Sequence, residues 1–267
     1  MRGETQMMQR LTPTIDILGM PLARISLEET VDWVFEGLRH GNGSWIITAN
    51  VDHLQRYALN PDIVKLYEEA DLIVADGVPL LWAARLLGSP LPERVAGSDL
   101  VWLLSERAAR MGQSVYLLGS APGIVAQAVR RFHERWPELR IVGTSSPMVS
   151  TQLTAEEKDA LRRDIEIAIP DIVYVALGSP KQEHVIAALR PLFPGICWIG
   201  VGISLSFVAG ELQRAPLWMQ KAGLEWVYRM FQEPSRLMKR YLRNLPFAAQ
   251  ILLKASVAAC QNKYKMK

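Results

Sequence analysis

Trp45-Ile46-Ile47-Thr48-Ala49-Asn50-Val51-Asp52-His53 and, about one helix later, Leu72-Ile73-Val74-Ala75-Asp76-Gly77-Val78-Pro79 decide the reading of this chain. Each stretch opens on an apolar run and closes on polar or acidic groups. A run apolar on both sides is a strand buried between two layers of helices, as in a parallel sheet. In open α/β sheets the ligand site lies outside the carboxyl ends of the strands. Thr48, Asn50 and Asp76 therefore stand where a site would form. Asp76 sits beside Gly77 and Pro79, on a tight turn able to fix a carboxylate in one orientation. The pair of strand ends points to an enzyme.

Working outward, strand-like and helix-like segments alternate over the first two hundred residues. Ser26 with Glu29 three positions on forms a capping-box pattern, opening a helix that runs to about His40. Strands are predicted at 45–48, 72–75, 115–118, 140–142, 172–177 and 196–201. Helices are predicted at 61–70, 78–88, 98–111, 122–136, 154–168 and 181–189. The alternation predicts a Rossmann-like, mostly parallel sheet flanked by helices. After Gly210 the character changes. Segments 216–232 and 234–245 read as helices rich in Trp, Met and Arg, and form a C-terminal helical appendage. The expected division is a catalytic domain over 1–210 and a basic amphipathic appendage over 211–267.

Composition narrows the class. The chain has 267 residues, 49% hydrophobic and 21% charged, in keeping with a globular protein that has a sizeable core. Two cysteines, Cys197 and Cys260, give neither a disulfide framework nor metal-ligand spacing, and fit a reducing compartment. The first ten residues carry charges and no apolar stretch of the kind a secretory signal needs. Segment 191–210 is uncharged and about as long as a bilayer span. Its prolines and glycines suit a buried strand with turns at both ends better.

The overall net charge of +3 conceals an asymmetry. Residues 211–267 carry 11 basic and 3 acidic side chains, a net +8, which leaves the body at −5. A basic tail on an acidic body suggests an anionic partner.

Two further loops join strands to helices, Gly119-Ser120-Ala121-Pro122-Gly123 and Gly178-Ser179-Pro180-Lys181-Gln182-Glu183. Glycines allow close backbone approach, and a helix N-terminus offers unpaired amides to a phosphate. Each loop is equally an ordinary tight turn, but two in one sheet favour a nucleotide-type ligand. In Glu93-Arg94-Val95-Ala96-Gly97-Ser98-Asp99, Arg94 could clamp a phosphate or stand in solvent, with Ser98 or Asp99 as a helix cap. Asp52 and His53 suit a cap and first helical turn. Among the tail cations, Arg236, Lys239, Arg240 and Arg243 share one side of a helix. Dinucleotide, P-loop, zinc-protease and serine-elbow motifs are all absent from the sequence. Nucleic-acid binding through the tail lacks a reader motif.

Taken together and in order, Thr48-x-Asn50-Val51-Asp52-His53, Ala75-Asp76-Gly77-x-Pro79, Glu93-Arg94-x-x-Gly97-Ser98-Asp99, Gly178-x-Pro180-Lys181-Gln182-Glu183, Arg214-Ala215-Pro216-x-Trp218-Met219 and Gly223-Leu224-Glu225-Trp226 resemble the WecG/TagA/CpsF glycosyltransferases, family 26 of the sugar transferases. The resemblance covers about residues 14 to 245. It implies transfer of a hexose or N-acetylhexosamine from a UDP-sugar to a polyprenyl-diphosphate-linked saccharide, in cell-surface polysaccharide synthesis. It implies a peripheral protein at the cytoplasmic face of the membrane, with an appendage that reaches the membrane and helps complete the active site, with oligomers among its relatives and no cofactor. It makes Asp76 the candidate base, with Thr48 and Asn50 in the same pocket and Arg94 and Gln182 by the nucleotide-sugar.

Gly119, Gly178, Ser206, Arg229, Arg236 and Arg240 complete the expected substrate-binding set. The family often shows V-G-x-x-F-D-F where this chain has Val201-Gly202-Ile203-Ser204-Leu205-Ser206-Phe207. Ser206 replaces an acid, which leaves UDP-N-acetylmannosamine and UDP-glucose both open as donors. The same replacement keeps a non-catalytic nucleotide-sugar-binding protein of an assembly complex as the alternative. The expected transfer is inverting, with Asp76 as its base; no D-x-D occurs, so it is also expected to be metal-independent, with helix N-termini and arginines neutralising the leaving group.

Overall fold

The computed structural model describes residues 12–265; within that span the side chains of Leu217, Lys221, Arg236, Arg240 and 262–265 fall outside the described set. A short antiparallel hairpin, β1 (Thr14–Ile17) and β2 (Met20–Ala23), comes first. It turns through Leu18 and Gly19, both at positive φ. Helix α1 (Leu27–Arg39) follows, with the Ser26/Glu29 capping box formed as the sequence predicts. The order continues β3 (Ser44–Ala49), α2 (Val51–Leu59), α3 (Pro61–Glu68), β4 (Leu72–Ala75), α4 (Val78–Leu86), α5 (Gly97–Met111), β5 (Ser114–Gly119) and α6 (Pro122–Arg135). Then come β6 (Arg140–Ser145), α7 (Ala155–Ala168), β7 (Ile172–Ala176), α8 (Lys181–Leu189), β8 (Cys197–Gly200) and α9 (Ser204–Ala209). Three helices end the chain: α10 (Leu217–Lys221), α11 (Glu225–Gln232) and α12 (Pro234–Lys265).

The main sheet has strand order β4-β3-β8-β7-β5-β6, and every pairing in it is parallel. Successive side chains of a strand point to opposite faces, and the two faces bury two separate cores. Trp45, Ile47, Ile73, Val173, Val175 and Trp198 meet Leu54, Tyr67, Leu80 and Val185 on one side. Ile46, Leu72, Val74, Val115, Leu117 and Ile199 meet Phe35, Leu100, Leu104 and Phe132 on the other. The α/β expectation therefore stands, and the apolar strands are apolar because both faces are covered.

The uncharged 191–210 segment is a 3-10 turn, buried strand β8 and short helix α9. Among the described residues no helix is long and apolar enough to cross a membrane.

Two predictions about the tail are corrected. The single helix expected at 216–232 is two helices, because Gly223 adopts φ +74 between them. A left-handed residue breaks the helical hydrogen-bond ladder. The helix expected to end at 245 continues to Lys265 through Pro246. Proline removes one ladder bond. Burial of Phe247, Ile251 and Ala255 against the same core as Ile47 and Leu80 offsets that loss.

Candidate active site

The parallel register sets Ala49 opposite Ala75, so β3 and β4 end side by side. The Asp76 amide donates to the Ala49 carbonyl at 2.7 Å, and the Gly77 amide to the same oxygen at 3.2 Å. This crosslink fixes the Asp76 turn against the start of α2. Asn50 is the cap of α2, its Oδ1 accepting from the Asp52 amide at 3.0 Å. His53 closes the capping box from the third position. Gly77 packs tightly here: a Cβ would lie 3.1 Å from the Leu80 Cδ1 and 3.2 Å from the Asn50 Cα.

The loop carrying Arg94 is drawn onto the same rim. The Val95 amide donates to the Ala75 carbonyl at 2.9 Å. A Cβ on Gly97 would stand 3.1 Å from the Thr48 hydroxyl and 3.6 Å from that of Ser204. Thr48, Asn50, Asp76 and Arg94 thus share one edge of the sheet; the sequence order of the strand ends brought the first three together, and the Arg94 loop joins them through Val95.

The tail closes over this edge. Arg94 Nη1 lies 2.8 Å from Glu225 Oε2, and Arg94 Nη2 lies 3.9 Å from Asp99 Oδ2. Arg214 makes the matching pair, donating to Asp99 Oδ1 at 2.6 Å and to Glu225 Oε1 at 3.0 Å. Its remaining Nη2 donates to Gln220 Oε1 at 2.8 Å. Two carboxylates are therefore each shared by two guanidinium groups, one from the body and one from the tail. Ser98 or Asp99 was expected as a helix cap; α5 instead starts at Gly97 with Ala96 as its N-cap and no side-chain cap, and the Asp99 carboxylate is turned to Arg214.

Phe207 lies under both tail arginines, 5.9 Å from the Arg214 guanidinium and 5.7 Å from that of Arg229. Arg229 Nε is buried with no hydrogen-bond partner among the described residues.

Burial raises the Asp76 pKa above its ordinary carboxylate value, an effect opposed by Arg94, reinforced by Glu225, opposed by Arg229 and reinforced by Asp99. Removing a charge from water is the dominant cost, and the flanking arginines recover part of it. A carboxylate raised in this way is a stronger base when ionised.

The two glycine loops behave differently from each other. Gly178, with Ser120, Gly202 and Ser206, lines a cavity of about 550 Å³ beyond the ends of β5, β7 and β8. Glu211 and Glu233 complete its wall from the tail side. Gly119 does not line it. At φ +102, a Cβ on Gly119 would stand 2.7 Å from the Ala176 carbonyl, so glycine there lets β5 lie beside β7.

Gln182 is 4% exposed and its amide is committed internally. It accepts from the Gly202 amide at 3.1 Å and donates to Glu183 at 3.0 Å. It fixes the turn after β8 that borders the cavity.

Asp52 and His53 are buried as well. His53 Nε2 lies 3.4 Å from Glu183, whose carboxyl is lowered overall although burial is the largest single influence and acts upward; His53, Gln182 and Ser179 outweigh it. Asp52 is ion-paired with Arg56 and accepts from Asn244 of α12 at 3.3 Å. Arg243, mostly exposed, reaches to 3.8 Å of the same carboxylate. Arg236 and Arg240 belong to α12, and their side chains lie outside the described residues.

The sequence reading missed the pairing of Arg214 with Asp99 and of Glu225 with Arg94. Both tail residues stand inside quoted motifs. Nothing local marks their partners, which lie more than a hundred positions earlier.

A chain from Bacillus spizizenii (strain ATCC 23059 / NRRL B-14472 / W23) is 32% identical over 227 residues, covering 85% of each chain. That relative is named as an N-acetylglucosaminyldiphosphoundecaprenol N-acetyl-beta-D-mannosaminyltransferase. The sequence pattern of the Glycosyl transferase WecG/TagA/CpsF family matches residues 15–260, nearly the whole of the described fold. An enzyme is thereby favoured over the non-catalytic alternative, and the chain belongs to the WecG/TagA/CpsF family of glycosyl transferases.

Proposed function

We propose that this enzyme transfers a hexose or N-acetylhexosamine, with inversion, from a UDP-sugar to a polyprenyl-diphosphate-linked saccharide. The observation that carries the reading is the setting of Asp76: a carboxyl raised by burial, at a strand end shared with Thr48 and Asn50, between the charges of Arg94 and Arg229. The acceptor hydroxyl attacks the anomeric carbon on the face opposite UDP. Asp76 takes the hydroxyl proton, the bond from the anomeric carbon to the phosphate oxygen breaks, and UDP leaves with the electron pair. Arg94 and Arg229 offset the charge that develops on the diphosphate. Such an arrangement, with no D-x-D in the sequence, supports a metal-independent reaction. The cavity walled by Gly178, Gly202 and Ser206 is the proposed nucleotide site.

The named relative's acceptor supports N-acetylglucosaminyl-diphosphoundecaprenol as the first acceptor to try. Location at the inner membrane face is supported by α12. Leu242, Leu245, Leu253 and Val257 are exposed on the side opposite buried Phe247, Ile251 and Ala255. Lys239, Arg243 and Lys254 accompany the exposed stripe. Such a helix suits an interfacial position.

The test is a UDP-release screen with UDP-N-acetylmannosamine and UDP-glucose against short-chain analogues of that acceptor, with and without EDTA. Acceptor-dependent release insensitive to EDTA is expected. Release requiring added divalent cation contradicts the metal-independent reading, and no transfer with either donor contradicts the donor class.

A further inference from the structure

The function proposed above uses Asp76 and the arginines but leaves two buried or half-buried acids unassigned. Asp99 lies in the first turn of α5, on the body, and Glu225 at the first position of α11, on the tail. Each carboxylate touches both Arg94 and Arg214. Glu225 is 9% exposed, and Arg94 and Arg214 keep side-chain exposures of only 17% and 22%. Asp99 is more open, with a side-chain exposure of 36%; the four charges, two of each sign, form a closed square in which every member has two opposite partners.

A square of this kind does more than join two segments. With Glu225 and Asp99 on opposite sides, the Arg94 guanidinium is fixed in orientation before any substrate enters. The tail contributes one acid and one arginine, so the body alone cannot complete the square. Gly223, two residues before Glu225, lies close against Val78 of α4. That contact brings the start of α11 down onto the turn that carries Asp76.

We infer that Asp99 and Glu225 are positioning residues for sugar transfer, holding Arg94 and Arg214 in a four-membered ion-pair square that fixes both guanidinium groups. The inference rests on Asp76 acting as the base. The groups that face Asp76 from the packed elements are Arg94, Glu225, Arg229 and Asp99, and two of these four are the acids in question.

Glu225→Gln and Asp99→Asn keep size and hydrogen bonding while removing one charge each, from opposite sides of the square. The test measures UDP release by the full chain, with the donor the wild type turns over and the short-chain lipid-diphosphate acceptor. The pH profile of kcat and the thermal midpoint are recorded for each variant. Misplacement of a charge-stabilising group by a fraction of an ångström to an ångström costs roughly ten- to a hundredfold in rate. A kcat loss of that size is expected in both variants, with a smaller change in donor KM. Both substitutions remove a negative charge beside Asp76, so the acid limb of the profile moves to lower pH.

A folded variant with wild-type kcat and an unmoved limb overturns the inference. Loss of kcat with an unmoved limb overturns it too, since that outcome marks simple tail docking. Asp99, in an accessible first turn, decides the matter if Glu225→Gln fails to fold. Asp76→Asn in the same assay separates the two levels. Full activity of that variant removes the base assignment itself, whereas an inactive Asp76→Asn beside unaffected Glu225→Gln and Asp99→Asn removes only the positioning roles.

Discussion

A Cβ on Gly223 would stand 2.7 Å from Cγ1 of Val78, so the turn between α10 and α11 lies flat against the first turn of α4. Gly223 also holds φ +74, which side chains rarely adopt. Both demands fall on one residue at the junction of tail and body. Gly223→Ala is expected to cost about 1–3 kcal/mol through overpacking and backbone strain. The tail should become more sensitive to limited proteolysis and turnover should fall. Unchanged protection of the tail would show that this contact does not govern docking.

The raised pKa of Asp76 has a consequence for stability. Its folded-state pKa lies above the unfolded one, so the native protein retains a proton that the unfolded chain releases. Stability contributed by the protonated form is full below the ordinary value of 3.8 and is lost as pH rises through the folded-state pKa. Asp76→Asn mimics the protonated form. Its thermal midpoint at pH 7 should exceed that of the wild type, and the gain should vanish in acid below the ordinary carboxylate range. A lower midpoint at pH 7 would mean that Arg94 and Arg229 outweigh burial.

Gln182 offers a choice between frame and ligand contact. Its amide is bonded to Gly202 and Glu183. Gln182→Leu leaves the Gly202 amide without its acceptor and should cost about 1–3 kcal/mol in denaturant unfolding. A variant of normal stability with a raised donor KM would point to direct contact with the donor instead.

The proposed membrane association would rest on the outward stripe of α12. Leu242 and Leu253 are 61% and 66% exposed. Full burial of a leucine is worth about 1.5–3 kcal/mol, so each Leu→Glu change should weaken liposome binding roughly tenfold or more. Sedimentation with anionic vesicles checks this; undiminished pelleting of the double variant would move the membrane contact elsewhere.

Much of this was legible in the chain because periodicity and turn chemistry are local. Continuous apolar runs at 72–75 and 172–177 could only be strands covered on both faces, and the Ser26/Glu29 box announced α1. Thr48, Asn50 and Asp76 were legible as a group because parallel strands end on one edge of a sheet. The missed features depend on distant partners. Pro246 reads as a stop signal locally, and only burial of Phe247 and Ile251 carries the helix through it. The β1–β2 hairpin is four residues a side, too short for alternation to stand out. Glu225 and Arg214 look like ordinary surface charges until the tail folds onto Arg94 and Asp99. Gly119, read as a phosphate loop residue, is required by the closeness of Ala176.

The central claim is that Asp76 takes the proton from the acceptor hydroxyl. Turnover and UDP affinity of Asp76→Asn, measured on the same folded preparation, test it most directly. Loss of a positioned base typically costs about 10²–10⁴-fold, so kcat should fall within that range while UDP binds as tightly as to the wild type. Near-normal turnover by Asp76→Asn would contradict the account.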